Sequence, residues 1–323
     1  MTYAASAAHT TLRLRAELLA RIRTFFIERG VLEVETPALS AAGVPDLALE
    51  SITAKVRSLG ALPHYLHTSP EYAMKRLLAA GSGDIYQVCR VFRDDELGRW
   101  HQPEFTLLEW YRQGWDEQRL MTEVEQLFTE LLSIVPNRIR ERSIRVSYAQ
   151  AFRDYLHMDL HDDPQRLTHR LRELGIHVPA GLERDGLLDL AFSTAIAPRF
   201  APTALTFIYD YPASQAALAR IKPQTPPVAA RFEVFAGDIE LANGFAELTD
   251  AGEQRRRFQM QIEERRRRAR DQPPLDEAFL GALERGLPEC AGVAVGVDRL
   301  VALAAGFDNL AEAVSFVHVA PSA

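Results

Sequence analysis

Cysteine is scarce. Cys89 and Cys290 are the only two in 323 residues, each among apolar neighbours. Reduced core thiols are the expectation, and a single bridge is the alternative. No run of about 18 apolar residues occurs, so no membrane-spanning helix is expected. The first nine residues lack a basic stretch followed by an apolar core, so no signal peptide is expected and a cytoplasmic location follows. Positive charge is not in excess. Lys and Arg total 37 against 44 Asp and Glu, a net charge of −7, which argues against a surface built to grip nucleic-acid phosphates unless a local patch overrides it. No internal repeat, low-complexity tract or phosphate-loop spacing is present, and Gly81-Ser-Gly83 is too short for a dinucleotide-binding turn. What remains, 47% hydrophobic and 25% charged, is ordinary for a globular protein of one large domain or two modest ones.

Periodicity predicts the elements. Residues 12–29 read as an amphipathic helix with Leu14, Leu18, Leu19, Ile22, Phe25 and Phe26 on one stripe and Gly30 as its cap. Residues 31–36 alternate as a strand that Pro37 ends. A helix over 72–80 follows. Strands over 84–93 and 105–111 flank a polar loop at 94–103, and a helix over 118–135 is stopped by Pro136. Residues 140–200 read as helices joined by loops, without an assignable motif. A strand at 207–211, a hairpin, an arginine-rich helix broken at Pro273-Pro274, a helix near 277–285 and a glycine-bearing segment entering an apolar helix complete the chain. The expected class is α+β, a mostly antiparallel β-sheet flanked by helices. Arg255 to Arg257, Arg265 to Arg268 and Arg270 form either a solvated face balanced by Glu253, Glu263 and Glu264, or a docking surface for an acidic partner or an RNA.

Chemistry concentrates in three places. Residues 231–248 hold Glu233, Glu240 and Glu247 at seven-residue spacing, with a turn signal at Ala236-Gly237-Asp238. A hairpin centred between Ala236 and Gly237 sets Glu233 directly opposite Glu240, with Cβ atoms about 5 Å apart. Such like charges persist when a cation lies between them or one is protonated; the alternative is a solvated face. On the strand over 105–111, alternation puts Phe105, Leu107, Glu109 and Tyr111 on one face. Arg93, at the mouth of the long loop, suits a phosphate or carboxylate, or else pairs with Glu109 or Asp95. Gly292 and Gly296 permit close backbone approach, and Arg299 follows at a helix start that favours an anion. Together these describe a nucleoside-triphosphate site of two arginines and a metal pair.

These residues resemble motifs of the class II aminoacyl-tRNA synthetases. Glu35-Thr-Pro37 with the helix before it is similar to motif 1 (about 12–37), Phe92-Arg93 through His101-Gln-Pro-Glu-Phe-Thr106 to motif 2 (about 84–111), and Gly296-Val-Asp-Arg299 to motif 3 (about 292–305). Thr68-Ser-Pro-Glu71, Tyr211-Pro-Ala213 and Glu240 through Leu248 resemble the lysyl-tRNA synthetase core. The resemblance spans nearly the whole chain, which reads as a single catalytic domain, 1–323. Motif 1 begins near residue 12, so the anticodon-binding barrel of those synthetases is expected to be absent. The layout, with Tyr211-Pro-Ala-Ser-Gln-Ala216 and Leu107-Leu-Glu-Trp-Tyr111, is closer to the elongation factor P–lysine ligases. Departures include Ala294 where synthetases carry Gly, Asp94-Asp95 for Asn-Glu, and Gln102 for Asn. Asp95 reaches less far toward adenine than Glu would.

The resemblance implies the roles. Arg93 and Arg299 are the catalytic residues. Arg93 would hold the α-phosphate and the amino-acid carboxylate, and Arg299 the γ-phosphate. Asp94, Asp95, Gln102, Glu240, Leu241 and Gly296 would complete the ATP site, and Glu233 and Glu240 would hold Mg²⁺. Ser69, Pro70, Glu71, Glu109, Tyr111, Asn243, Glu247 and Ala294 would bind lysine or β-lysine, Glu71 taking an α- or β-amino group and Tyr111, Asn243 and Glu247 the ε-ammonium. The implied acceptor is elongation factor P, with no tRNA and no membrane partner, and the implied assembly is a homodimer. Alternatives are a truncated lysyl-tRNA synthetase charging tRNA and a non-catalytic regulator.

Overall fold

A computed structural model of the protein describes residues 5–135 and 138–319. The chain folds as two compact units, residues 1–116 with 247–323, and residues 117–246.

In the first unit the opening helix, His9–Glu28, buries Leu18, Ile22, Phe25 and Phe26, while Leu14 and Leu19 are half-buried. Phe26 stacks on Tyr86 at 4.4 Å and meets Trp110 edge-on at 5.2 Å, which fixes the helix against the sheet. Strands Leu32–Glu33, Ile85–Phe92, Glu104–Gln113 and Cys290–Gly296 lie side by side in that order. The last two pairings are antiparallel. The strand expected over 31–36 shrinks to Leu32–Glu33, which pairs parallel with Ile85 and Tyr86. It is a sheet edge, where only one side of the backbone finds a ladder partner. A second sheet is made of Leu39–Ser40, His64–Leu66 and Thr53–Ala54. Helices Glu71–Ala79 and Glu277–Gly286 pack together, with Tyr72 stacked on Phe279 at 4.6 Å.

The arginine-rich helix, Ala251–Arg267, carries its own counter-charges. Arg256 and Arg257 bond Glu253, Arg266 bonds Glu263, and Arg268 bonds Glu264. Arg265 is buried and donates to the Asp46 and Leu49 carbonyls and to Glu50. The cluster is therefore a neutralised face with one arginine acting as an internal tie. Cys89 and Cys290 are free thiols, and burial pushes Cys89 up to about 12 and Cys290 well up, so neither ionises at neutral pH. Among the described residues no helix is long and apolar enough to cross a membrane.

In the second unit helix Glu117–Leu132 precedes the sheet; Pro136, expected to end it, lies outside the described residues. Strands Ile144–Ser147, Leu205–Pro212, Val228–Ala236 and Ile239–Ala246 lie in order, the first pair parallel and the others antiparallel. The motif-less stretch 140–200 supplies helices Tyr148–Leu156, Pro164–Glu173 and Arg184–Ala191. Tyr148 and Phe152, with Phe192 and Phe200 from the segment after Ala191, pack with Phe235 into an aromatic core.

The hairpin register differs from expectation. The turn is Gly237-Asp238, with Gly237 at φ 60°, so Ala236 pairs with Ile239 and Phe235 with Glu240. A bulge at Leu241 then shifts the ladder, and Glu233 faces Asn243 instead of Glu240. Paired residues share a face of a sheet and alternate residues share a face of a strand. The bulge therefore gathers Glu233, Glu240 and Asn243 on one face. A regular ladder from the same turn would send Asn243 to the other side.

Candidate active site

In the first unit, side chains from four segments converge. Strand Glu104–Gln113 alternates so that Glu109 and Tyr111 emerge together, Glu109 opposite Ala294 and Tyr111 opposite Gly292. Tyr111 Oη donates to Glu109 Oε1 at 2.5 Å, and Ser69 Oγ donates to Glu109 Oε2 at 2.7 Å. The same Ser69 Oγ accepts from the Glu71 backbone at 3.0 Å, with Pro70 between them opening helix Glu71–Ala79. Gly292 is obligatory for a reason other than ligand approach. A Cβ there would sit 2.3 Å from the Tyr111 ring and 2.5 Å from Glu247 Oε1. The Glu247 backbone donates to the Cys290 carbonyl at 3.0 Å, which holds its side chain in place.

One residue of this pocket was not anticipated. Lys75 is buried, with Nζ 2.5 Å from Glu71 Oε1 and 2.6 Å from Glu247 Oε2. The available signal was Glu71 and Lys75 four apart on a helix, a pattern that usually marks a surface pair. Burial alone would lower the Lys75 ammonium, but the charges of Glu247 and Glu71 hold it above its ordinary value. Burial, opposed by Lys75 and assisted by Glu71, pushes Glu247 up to about 8. Burial and the Glu71 charge push Glu109 up to about 7, against hydrogen bonds from Tyr111 and Ser69.

Of the nucleotide-binding candidates, Arg93, Asp94, Asp95, Gln102, Gly296 and Arg299 lie in the same unit, and Glu240 and Leu241 in the second. Arg93 stands over the Phe105 ring at 5.0 Å, donates to the Thr68 carbonyl at 3.4 Å and lies 3.6 Å from Glu96. Arg299 donates to the Trp100 carbonyl at 3.2 Å and to His101 Nε2 at 2.9 Å. Burial and the Arg299 charge lower His101, with Arg93 adding to the effect. The ring is thus neutral and both guanidinium groups bear on it. Gly296 precedes helix Val297–Ala305, and the three atoms nearest to a Cβ there would be Arg299 carbons, the closest at 3.7 Å. Asp94 and Asp95 are exposed, Asp95 at φ 59°, and Asp94 accepts from the Asp95 backbone at 2.9 Å. Gln102 is buried, and its Oε1 accepts from the His318 backbone at 2.8 Å, so that oxygen secures a chain segment. Asp298 ties the three motif segments together. It accepts from Arg15 at 2.5 Å and from the Thr106 backbone at 2.9 Å, while Arg15 also donates to Thr106 Oγ1 at 2.7 Å.

In the second unit, Glu233 accepts from Tyr211 Oη at 2.7 Å and from Arg231, whose guanidinium lies 4.5 Å over the Tyr211 ring. Burial and the Glu240 charge push Glu233 up against the pull of Arg231. Leu241 is buried at the bulge, and the buried Asn243 Oδ1 has no hydrogen-bond partner. Among the described residues no group of three or more His, Cys, Asp or Glu is arranged to hold a metal. Glu233 and Glu240 are hard oxygen donors that fit Mg²⁺, which is usually held by one or two carboxylates with water and substrate phosphates. At Glu233 the ion would share the carboxylate with Tyr211 and Arg231.

Known proteins bear on this arrangement. The sequence matches the tRNA synthetases of class II (D, K and N) over residues 1–320. An elongation factor P–(R)-β-lysine ligase of Pectobacterium carotovorum subsp. carotovorum is 48% identical over 319 residues, 96% of each chain. Proteins of the same name from Salmonella paratyphi B and Salmonella heidelberg are each 47% identical over 321 residues, 98% of this chain and 97% of theirs.

Proposed function

The chain belongs to the tRNA synthetases of class II (D, K and N), and from that premise we propose that it is an ATP-dependent ligase. It activates lysine or (R)-β-lysine as an aminoacyl-adenylate and transfers it to a lysine side chain of elongation factor P. The observation that carries this reading is the cluster of three carboxyl groups around Lys75, with Glu109 and Glu247 buried and Glu71 partly buried. A buried anionic cluster of this kind demands a cationic ligand, and it repels an aspartate. The names of the relatives, matched over nearly their full length, supply the acceptor.

In the first step the amino-acid carboxylate attacks the α-phosphorus of ATP and pyrophosphate leaves. Arg93 holds the α-phosphate and the carboxylate, and Arg299 the γ-phosphate, so catalysis rests on positioning and on charge stabilisation. Neutral His101 fixes the Arg299 fork. Glu233 and Glu240 would hold Mg²⁺, which offsets phosphate charge when bound. Ser69, Pro70 and Ala294 complete the amino-acid site, and Asp94, Asp95, Gln102 and Gly296 the nucleotide site. In the second step the acceptor amine, in its neutral form, attacks the acyl carbonyl and AMP leaves.

On this reading residues 1–323 work as one catalytic domain, in a cytoplasmic homodimer that does not charge tRNA. Incubation with ATP, Mg²⁺ and labelled lysine or β-lysine, with elongation factor P and tRNA offered together, tests it. Label on elongation factor P is expected; label on tRNA alone would turn the reading into that of a truncated synthetase.

A further inference from the structure

The amino-acid pocket contains a cation of its own. Lys75 is buried with its ammonium between Glu71 and Glu247, and the Phe279 ring lies 6.0 Å from that ammonium. Glu109, the third carboxylate, is held by two uncharged donors, Ser69 and Tyr111. Burying an ion pair is costly, and an apolar side chain of similar size generally packs as well or better in such a place. Core packing alone therefore does not account for a lysine here. What it does to the charge balance does. Three carboxyl groups share one internal ammonium, so two anionic places remain, which a cationic ligand fills in place of protons. An amino acid of the lysine type brings two ammonium groups, while its carboxylate is directed to Arg93.

We propose that Lys75 is a positioning residue that determines specificity: it fills one of three anionic places from within the protein and leaves two, so that the pocket selects amino acids with two ammonium groups. This rests on the lysine-activating reading above. Lys75 does not touch the reacting atoms. It acts through Glu71 and Glu247, which it holds at a fixed separation by bridging helix Glu71–Ala79 to the Glu247 segment. Without it, a third cation or an extra proton must compensate the cluster, and the two glutamates lose their common anchor.

The test is amino-acid-dependent exchange of pyrophosphate into ATP by the wild-type protein and by Lys75→Met, with lysine and with 6-aminohexanoate, which carries a single ammonium group. The proposal expects Lys75→Met to raise KM for lysine and to reduce the preference for lysine over 6-aminohexanoate, each by about tenfold or more, with kcat changed far less. Unchanged KM and preference would overturn it. Should Lys75→Met fail to fold, inhibition of the wild type decides. Cadaverine, the diamine left when lysine loses its carboxylate, should compete about tenfold better than pentylamine; equal competition would overturn the proposal. Wild-type protein showing no lysine-dependent exchange would instead defeat the functional reading itself, and the proposal with it.

Discussion

Gly292 carries no side chain because two other residues occupy the space. A methyl group there would fall 2.3 Å from Tyr111 and 2.5 Å from Glu247, so Gly292→Ala is expected to cost about 1–3 kcal/mol of stability through overpacking. A lower melting temperature together with a raised KM for lysine would bear this out. Protonation acts in the same pocket. Burial lifts Glu109 to about 7 and Glu247 to about 8, with Glu71, Lys75, Tyr111 and Cys290 as the neighbouring titratable groups. An incoming ammonium prefers ionised carboxylates. KM for lysine should therefore fall as pH rises from about 6 to about 8.5 and then level off, which a pH series of exchange assays measures. The stability of the free protein runs the other way. Raised carboxyls contribute stability below their unfolded value of 4.5, and that contribution is lost as pH rises through 7 to 8. Strand alternation placed Glu109 and Tyr111 on one face in the sequence, and the seven-residue spacing of carboxylates singled out Glu247. Lys75 was not legible there, because a Glu–Lys pair four apart looks the same on a buried and on an exposed helix face.

At the level of elements, the three motif segments are joined through Asp298, a residue to which the sequence assigned no role. Its carboxylate reaches helix His9–Glu28 through Arg15 and strand Glu104–Gln113 through Thr106. Asp298→Ala leaves Arg15, whose side chain is only 14% exposed, without its anion. The expected loss is about 3–5 kcal/mol, read as a shift in denaturant midpoint; a shift below about 0.5 kcal/mol would contradict the tie. The hairpin teaches a related lesson. Its existence was readable from the turn signal at Ala236-Gly237-Asp238 and the flanking apolar runs, but the turn sits one residue later than the expected centre between Ala236 and Gly237. Its register was not: the turn position sets Glu240 opposite Phe235, and a bulge that leaves no compositional mark then brings Asn243 opposite Glu233. Edge strand Leu32–Glu33 was overextended for the same kind of reason, since alternation does not tell how much of a segment finds a partner.

For the molecule as a whole, helix periodicity and the ordered motifs made the α+β class legible, while residues 140–200 yielded only helices until their aromatic packing was seen. The arginine-rich helix, the one candidate for a basic docking face, is matched by its own glutamates. Exposed pairs of this kind contribute about 0–1 kcal/mol each. Replacing Arg256 and Arg266 together by Ala should therefore change transfer to elongation factor P by less than about threefold, as measured by initial rates. The account as a whole depends on the acidic pocket choosing a cationic amino acid. The most direct measurement is pyrophosphate exchange into ATP by the wild-type protein with lysine, β-lysine, aspartate and asparagine supplied in turn. Exchange with lysine or β-lysine alone is the predicted result. Exchange driven by aspartate or asparagine, or by none of the four, would contradict it.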